Sequence, residues 1–224
     1  MMGPHSLILH ILPAGLGQFF LLEYPHGLYL IDCSTPGKEN ILLARLNELG
    51  RSDLRLIWIT HAHYDHYGSA ARLRELTGAR IGVHPADADF LARGESPLGS
   101  ARGRSRIYPM AQPVARLLRP LRPTPPDFTL EDGQTLERFG LDATVLHTPG
   151  HTPGHTCLVL GDGTAFAADL IASSSQPHLQ NLLATHWESL PGSLRHLQNA
   201  QPRTIYSGHS RRPISGAALQ HIQP

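Results

Sequence analysis

The chain lacks several features that would each indicate a particular class of protein. Its 224 residues include two cysteines, Cys33 and Cys157, which are too few for a disulfide framework, so we expect both thiols to be reduced. No apolar run approaches the roughly 20 residues of a membrane span. Residues 1–15 also lack the basic start and unbroken apolar core of a signal peptide. We therefore expect a cytoplasmic protein with no membrane partner.

An excess of charge of either sign is lacking too. Lysine and arginine total 19 and aspartate and glutamate total 18, so the formal net charge is +1. A balanced chain gives no electrostatic reason to bind nucleic acid, and we predict no such partner. Histidine, in contrast, is abundant, with 15 copies.

The strand and helix signals repeat along the chain. Short apolar runs separated by Gly- and Pro-containing turns predict strands in the first part, at residues 6–12, 18–24, 27–33 and 54–60. Amphipathic or helix-forming stretches predict helices at 38–49, 69–78 and 187–200. Strand signals return after residue 126. Strands and helices followed by strands and a helix predict an α+β fold of two similar halves, with the sheets packed together and the helices outside, in a single domain over residues 1–224.

A basic, proline-rich insertion over about 93–126 separates the halves. Its part at 93–122 has seven arginines against one acidic residue, Glu95, which is a net charge of +6. The plain interpretation is a solvated surface. An insertion that covers a cleft would instead favour an anionic substrate, and the sequence leaves both interpretations open.

Metal-ligating residue types follow several predicted strands. The segment HAHYDH (61–66) comes after the buried strand at 54–60, and further candidates follow or end later strands. Strand ends in a sheet sandwich lie along a common rim, so distant side chains can converge there. Because a zinc ion takes about four donors, seven candidates predict two metal ions: His61, His63, Asp65, His66, His151, Asp169 and His209.

Each candidate also has a plainer interpretation. The HAHYDH segment fits a solvated polar loop, His151 fits a turn, and Asp169 fits the cap of a following segment. The complete ordered set favours the metal interpretation over these. Eight of the other histidines we expect to be structural or exposed: His5, His10, His26, His84, His178, His186, His196 and His221. His178 and His186 are the possible exceptions, because they flank a loop just after Asp169.

The ordered motifs HAHYDH, HTPGHTPGHT (147–156), Asp169 and His209 together resemble the metallo-β-lactamase-fold hydrolases, and in particular their glyoxalase II-like and lactonase-like members. The resemblance spans most of the chain and implies a four-layer αββα sandwich with metals at the sheet edge. It implies a first metal held by His61, His63 and His151. It implies a second metal held by Asp65, His66 and His209, with Asp169 bridging. It further implies that Asp32 and His155 support the ligands without binding metal.

The resemblance also implies an activity. A metal-bound hydroxide would attack an ester, lactone or thioester carbonyl, and Asp65, beside the nucleophile, would move the proton to the leaving group as the catalytic residue. The expected cofactors are two divalent ions, zinc first, with iron or manganese as alternatives. The expected partner is a small-molecule substrate. Its identity, the residues that bind it and the oligomeric state stay open.

Several other activities are compatible with the same fold. Related proteins with fewer ligands hold one iron and oxidise sulfur, and others hydrolyse β-lactams or only bind a ligand. Glyoxalase II enzymes use a C-terminal helical extension, whereas this chain ends fifteen residues after His209. Acyl-homoserine lactonases have a tyrosine shortly after the bridging aspartate, where this chain has Leu-Ile-Ala-Ser at 170–173. True β-lactamases are exported and generally lack the bridging aspartate.

Overall fold

The computed structural model describes residues 7–102, 120–172 and 176–224. The first part contains strands β1 (Ile8–Ala14), β2 (Gly17–Tyr24), β3 (Gly27–Ile31), β4 (Leu54–Trp58), β5 (Arg80–Val83), β6 (Ser100–Ala101) and β7 (Phe128–Thr129). Its helices are α1 (Glu39–Glu48), α2 (Tyr64–Tyr67), α3 (Ala70–Thr77) and α4 (Pro85–Arg93).

The second part contains the remaining strands, which are β8 (Ala143–His147), β9 (Thr156–Leu160), β10 (Thr164–Ala168), β11 (Ile171–Ala172), β12 (His178–Leu179), β13 (Leu183–Ala184), β14 (Thr204–Ser207) and β15 (Ile214–Ser215). Its helices are α5 (Leu190–Asn199) and α6 (Gly216–Gln220), with 3₁₀ turns at Glu137–Phe139 and Trp187–Ser189.

Two larger sheets form the centre of the fold. The first has the strand order β1-β2-β3-β4-β5-β7, antiparallel from β1 to β3 and parallel from β3 to β7. The second has the order β15-β14-β10-β9-β8, in which only β10 and β14 pair in parallel. A two-residue pairing of β6 with β13 joins the start of the insertion to the second part.

Alternating side chains on the strands create three apolar layers. On β2, Phe19 and Leu21 pack with the apolar faces of α1, α3 and α4. Phe20 and Leu22, on the opposite face of the same strand, pack against the other sheet. On β10, Phe166 faces the first sheet, and the alanines on either side of it face α5 and α6. Because successive side chains of a strand point to opposite faces, each sheet is covered on both sides. The Phe20 and Phe166 ring centroids are 5.0 Å apart where the sheets meet.

These layers confirm the predicted α+β αββα sandwich. The extent of the single domain over residues 1–224 stays a prediction, and residues 103–119 of the predicted insertion lie outside the described residues. No helix in the described ranges is long and apolar enough to cross a membrane.

Three helices were not predicted from the sequence. The HAHYDH segment, expected to be a loop, contains the one-turn helix α2, α4 follows β5 directly, and the short α6 follows β15. The signals for α4 are a proline at its first position and His84 before it, whose Nδ1 accepts a hydrogen bond from Ala86 N. The predicted helix at 187–200 is confirmed as a 3₁₀ turn followed by α5, with Pro191 in the first turn.

The contact between the sheets predicts a specific loss of stability. Phe166→Ala removes a fully buried ring that touches Phe20, and we expect it to lower the free energy of unfolding by about 3–5 kcal/mol. Leu76→Ala, at a leucine that is 43% exposed, is the control and should change it by less than about 0.5 kcal/mol. Denaturant unfolding measures both, and equal effects would show that the sheets do not meet at Phe166.

Candidate metal centre

Three histidines and an aspartate form the first group of candidate ligands. His61 and His63 follow β4, His151 lies in the turn between β8 and β9, and Asp169 follows β10. One donor atom from each lies within 4.8 Å of the others. Side chains that are up to 108 residues apart in sequence therefore converge at one edge of the sandwich.

A second group lies directly beside the first. Asp65 and His66, in α2, and His209, after β14, also place one donor atom each within 4.8 Å of one another. Asp169 contacts both groups: its Oδ2 is 3.3 Å from His151 Nε2 and 3.0 Å from His209 Nε2, and its Oδ1 is 3.4 Å from His66 Nε2. One carboxylate thus lies between two sets of donors, which is the position of a bridging ligand.

The outer ring nitrogens of the first group are held by hydrogen bonds. His151 Nδ1 donates to the carbonyl of Leu183 at 2.8 Å, and His63 Nε2 donates to the carbonyl of Pro97 at 2.6 Å. His61 Nδ1 lies 3.0 Å from Thr60 Oγ1, whose single proton is donated to the carboxylate of Asp32. The imidazole of His61 must therefore donate to Thr60, which leaves a lone pair on its Nε2.

The second group is held in the same way. His66 Nδ1 lies 2.8 Å from Asp32 Oδ2, and His209 Nδ1 donates to the carbonyl of Leu16 at 2.7 Å. Outer hydrogen bonds of this kind set the tautomer and orientation of metal-binding imidazoles. All five histidines therefore turn one nitrogen outward to a fixed partner and the other towards Asp169 or its neighbours.

The inward atoms give the test of whether metal ions fit. The Nε2 atoms of His61, His66 and His151 and the Oδ1 atom of Asp169 are buried and have no hydrogen-bond partner. Each such atom costs about 1–3 kcal/mol when it stays unsatisfied. Nitrogen and oxygen donors are the ligands of zinc, and they also suit iron and manganese. Divalent ions would satisfy all four atoms, so the donor set fits two of them.

Asp32 connects the strand end to the second group. Its Oδ1 accepts hydrogen bonds from the backbone N–H and hydroxyl of Thr60, and its Oδ2 contacts His66. The residue adopts φ 60°, a left-handed conformation that aspartate tolerates better than most residues but that still strains the backbone. This geometry agrees with the supporting role expected for Asp32, which stays a prediction.

His155 lies beside the centre and outside both groups. Its ring centroid is 5.1 Å from that of His61, and its Nδ1 is 2.9 Å from Thr148 Oγ1. Burial lowers the pKa of His155 well below the usual range, so the ring is neutral at pH 7. The structure thus places His155 next to the candidate ligand His61, while its supporting role is still a prediction. The exposed His178 and His186 join neither group.

Asp87, in the first turn of α4, was not predicted from the sequence to have any part in the site. Its Oδ2 accepts hydrogen bonds from Ala62 N at 2.8 Å and from Thr152 Oγ1 at 2.7 Å, and its Oδ1 accepts one from Gly154 N at 2.7 Å. Ala62 stands between two candidate ligands of the first group, His61 and His63, and Thr152 follows the third, His151. Asp87 therefore joins both loops that carry the three histidines.

The charges differ between the two groups. Burial lowers the pKa values of His61 and His63 well below their usual range, so these rings are neutral at pH 7. The carboxylate of Asp169 raises the pKa of His209 to about 9. Burial opposes the charged form of His66, but the carboxylates of Asp169 and Asp32 outweigh it and raise its pKa. In the metal-free protein the protonated, positively charged imidazoles therefore belong to the second group.

The comparisons with known proteins agree with this geometry. Residues 12–209 match the family model described as the metallo-beta-lactamase superfamily. The chain belongs to this superfamily. Among solved structures, it is similar to TTHA1623 in a di-iron-bound form, with a TM-score of 0.69 and 26% identity over 95% of this chain and 97% of that one.

Three curated relatives extend the comparison. YobT of Bacillus subtilis is 30% identical over 67% of this chain, and the match spans 60% of YobT. The probable metallo-hydrolase YflN of the same organism is 24% identical over 96% of this chain and 86% of YflN. Hydroxyacylglutathione hydrolase of Pseudomonas aeruginosa is 33% identical over 42% of this chain, which spans only 23% of that enzyme.

The contacts of Asp87 predict a loss of metal affinity confined to one group. Asp87→Asn replaces one acceptor oxygen by an NH₂ group that faces a donor, so the loops carrying the three histidines are no longer held together. We expect the affinity of the first group for zinc to fall about 10–100-fold and that of the second group to change little. Asp89→Asn, on the exposed face of the same helix, is the matched control.

Stepwise zinc titration against a chromophoric chelator measures both affinities of this variant. Equal weakening of the two binding events, or no weakening of either, would show that Asp87 does not position the first group.

The charge difference predicts how zinc binding depends on pH. Zinc must displace the proton of His209, whose pKa is about 9, whereas the neutral His61 and His63 have no proton to release. Below pH 9 we therefore expect the affinity of the second group to fall by at least about tenfold per pH unit. The first group should lose much less affinity down to pH 7. Calorimetric titration in buffers of different ionisation enthalpy counts the released protons, and equal release at both steps would contradict this charge assignment.

Proposed function

We propose that this chain is a dinuclear metal-dependent hydrolase that acts on an ester, lactone or thioester carbonyl. The observation that carries the proposal is the position of Asp169, whose carboxylate contacts donors of both groups at 3.0–3.4 Å. Six donors divided around one shared carboxylate match a pair of ions better than a single ion. The relatives YflN and hydroxyacylglutathione hydrolase are named as hydrolases, which supports the same reaction class.

Two divalent ions held here would supply a hydroxide nucleophile at neutral pH and polarise the substrate carbonyl. Zinc is the first candidate, and the di-iron form of TTHA1623 supports iron as an alternative. The chain itself orients the donors through the outer hydrogen bonds and shields them from bulk water, since His61, His63, His66 and His151 are buried. The centre opens into a cavity of about 360 Å³, which gives a small molecule access to both groups.

Asp65 is the residue to which we assign the proton transfer. It lines the cavity, and its Oδ2 is 3.6 Å from His209 Nε2 and 4.0 Å from His66 Nε2. Its carboxylate therefore lies at the boundary between the donors and the space for the substrate. From this position it accepts the proton of the nucleophile and delivers it to the leaving oxygen or sulfur.

Metal content and substrate range separate this proposal from its alternatives. Two equivalents of metal with turnover of esters, lactones or thioesters support the proposed hydrolase. Turnover of β-lactams alone would contradict its substrate class and indicate the alternative of β-lactam hydrolysis. One equivalent of iron with oxygen uptake would indicate a sulfur-oxidising dioxygenase. Metal-independent ligand binding without turnover would indicate a binding protein.

Substitution of the donors tests the assignment directly. We expect His61→Ala and Asp169→Ala to abolish turnover, because the first removes a donor and the second removes the shared carboxylate. Both chains should stay folded, since the donors lie at the edge of the sandwich and outside its apolar layers. His196→Ala is the control, because the half-exposed His196 on α5 bonds Asp132 and belongs to neither group of candidate donors.

The measurements are hydrolysis rates, bound metal and the circular dichroism of each variant. Substantial turnover with unchanged metal content in either donor variant would refute the assignment.

A further inference from the structure

The cavity over the metal centre has an apolar wall contributed by both parts of the fold. Leu16 comes from the turn between β1 and β2, and Leu182 comes from the segment between β12 and β13. They are 62% and 51% exposed. Of the three large apolar side chains that are exposed among the described residues, these two line this cavity, and Leu76 does not. Ile171 and Leu183 continue the wall inward.

Gln180 adds a fixed polar group to this wall. It is 6% exposed and lines the cavity. Its Oε1 accepts hydrogen bonds from the backbone N–H groups of Leu182 at 3.1 Å and Leu183 at 3.3 Å. The opposite assignment of the amide would place its NH₂ group against two donors, so its orientation is determined by these contacts. Its Nε2 is left buried with no hydrogen-bond partner.

The segment that carries Gln180 is also anchored to the metal centre. Gln180 N donates to the carbonyl of Leu170, the residue after the shared aspartate, at 3.0 Å. The backbone N–H of Leu183 donates to Gln180 Oε1. The carbonyl of the same residue accepts the outer hydrogen bond of His151 Nδ1. Gln180 is therefore held at a set position relative to the donors, at the lining of the cavity.

We propose that this wall is the substrate-binding subsite. The non-reacting part of its substrate is an apolar chain that carries a hydrogen-bond acceptor. The chain packs on the wall, and the acceptor takes a hydrogen bond from Gln180 Nε2. This inference depends on the proposed function only for the reacting end of the substrate. An unsatisfied buried donor is costly, and an acceptor such as an amide or ester carbonyl removes that cost on binding. The leucines at the cavity mouth would cover the chain, so that affinity rises with chain length.

A chain-length series tests the apolar part in the metal-loaded protein. The substrates are p-nitrophenyl esters from acetate to octanoate, and the non-hydrolysable probes are N-butyl-, N-hexyl- and N-octylacetamide. We expect kcat/KM of the esters and the calorimetric affinity of the amides to rise about threefold to fourfold per methylene covered. Leu16→Ser with Leu182→Ser should reduce this gain to less than about twofold, while Leu76→Ser should leave it unchanged.

A second comparison tests the amide of Gln180. Gln180→Glu keeps an acceptor for the N–H groups of Leu182 and Leu183 but replaces the Nε2 donor by an acceptor. We expect the variant to bind N-hexylacetamide at least about tenfold more weakly than the wild type does. Hexan-1-amine, which lacks a carbonyl, should bind the variant no more weakly than it binds the wild type. Its zinc content should be unchanged. Lost zinc, or equal weakening of both probes, would show that Gln180 serves the fold or His151 and would overturn its role as the substrate's donor.

The outcomes separate this inference from the proposed function. Ester turnover that does not depend on chain length, with amide affinities equally flat, overturns the subsite and leaves the hydrolase. Amide binding that rises with chain length without turnover of any ester, lactone or thioester overturns the hydrolase and leaves the subsite.

Discussion

The carboxylate of Asp169 is the point on which the geometry of the whole centre depends. Three histidine Nε2 atoms lie within 3.4 Å of its two oxygens, and these imidazoles come from α2, the turn before β9 and the segment after β14. The backbone is shaped for this approach. Ala168 adopts φ 44°, and a Cβ atom at Gly208 would lie 2.3 Å from Asp169 Oδ1. Only glycine at 208 therefore leaves room for the carboxylate between the two groups.

Burial explains why so polar a cluster needs so much support. A buried polar atom without a partner is costly, so the fold provides each imidazole with one outer hydrogen bond and leaves the other nitrogen for an ion. Asp32 and Asp87 divide this work. Asp32 holds the strand end and His66, and Asp87 holds both loops of the three-histidine group. Two buried acids thus form hydrogen bonds to the segments that carry the two groups of candidate donors.

Much of this arrangement could be predicted from the sequence, and the remainder shows what local patterns miss. Strand periodicity predicted two sheets packed together. The positions of HAHYDH, His151, Asp169 and His209 at strand ends predicted that seven side chains converge. Asp87 and Gln180 could not be found in this way, because their importance lies in hydrogen bonds to backbone atoms whose positions only the folded chain defines. A buried aspartate in a helical first turn has the same local sequence as an ordinary exposed one. The helix α2 was missed because a four-residue turn leaves no periodic signal.

The central claim is that two metal ions share Asp169, and anomalous scattering from crystals of the zinc-loaded protein tests it most directly. The account predicts two peaks about 3.5–4 Å apart, one among His61, His63 and His151 and the other among Asp65, His66 and His209, with an oxygen of Asp169 next to each. A single peak, or a pair of peaks that leaves the Asp169 carboxylate without metal, would contradict it.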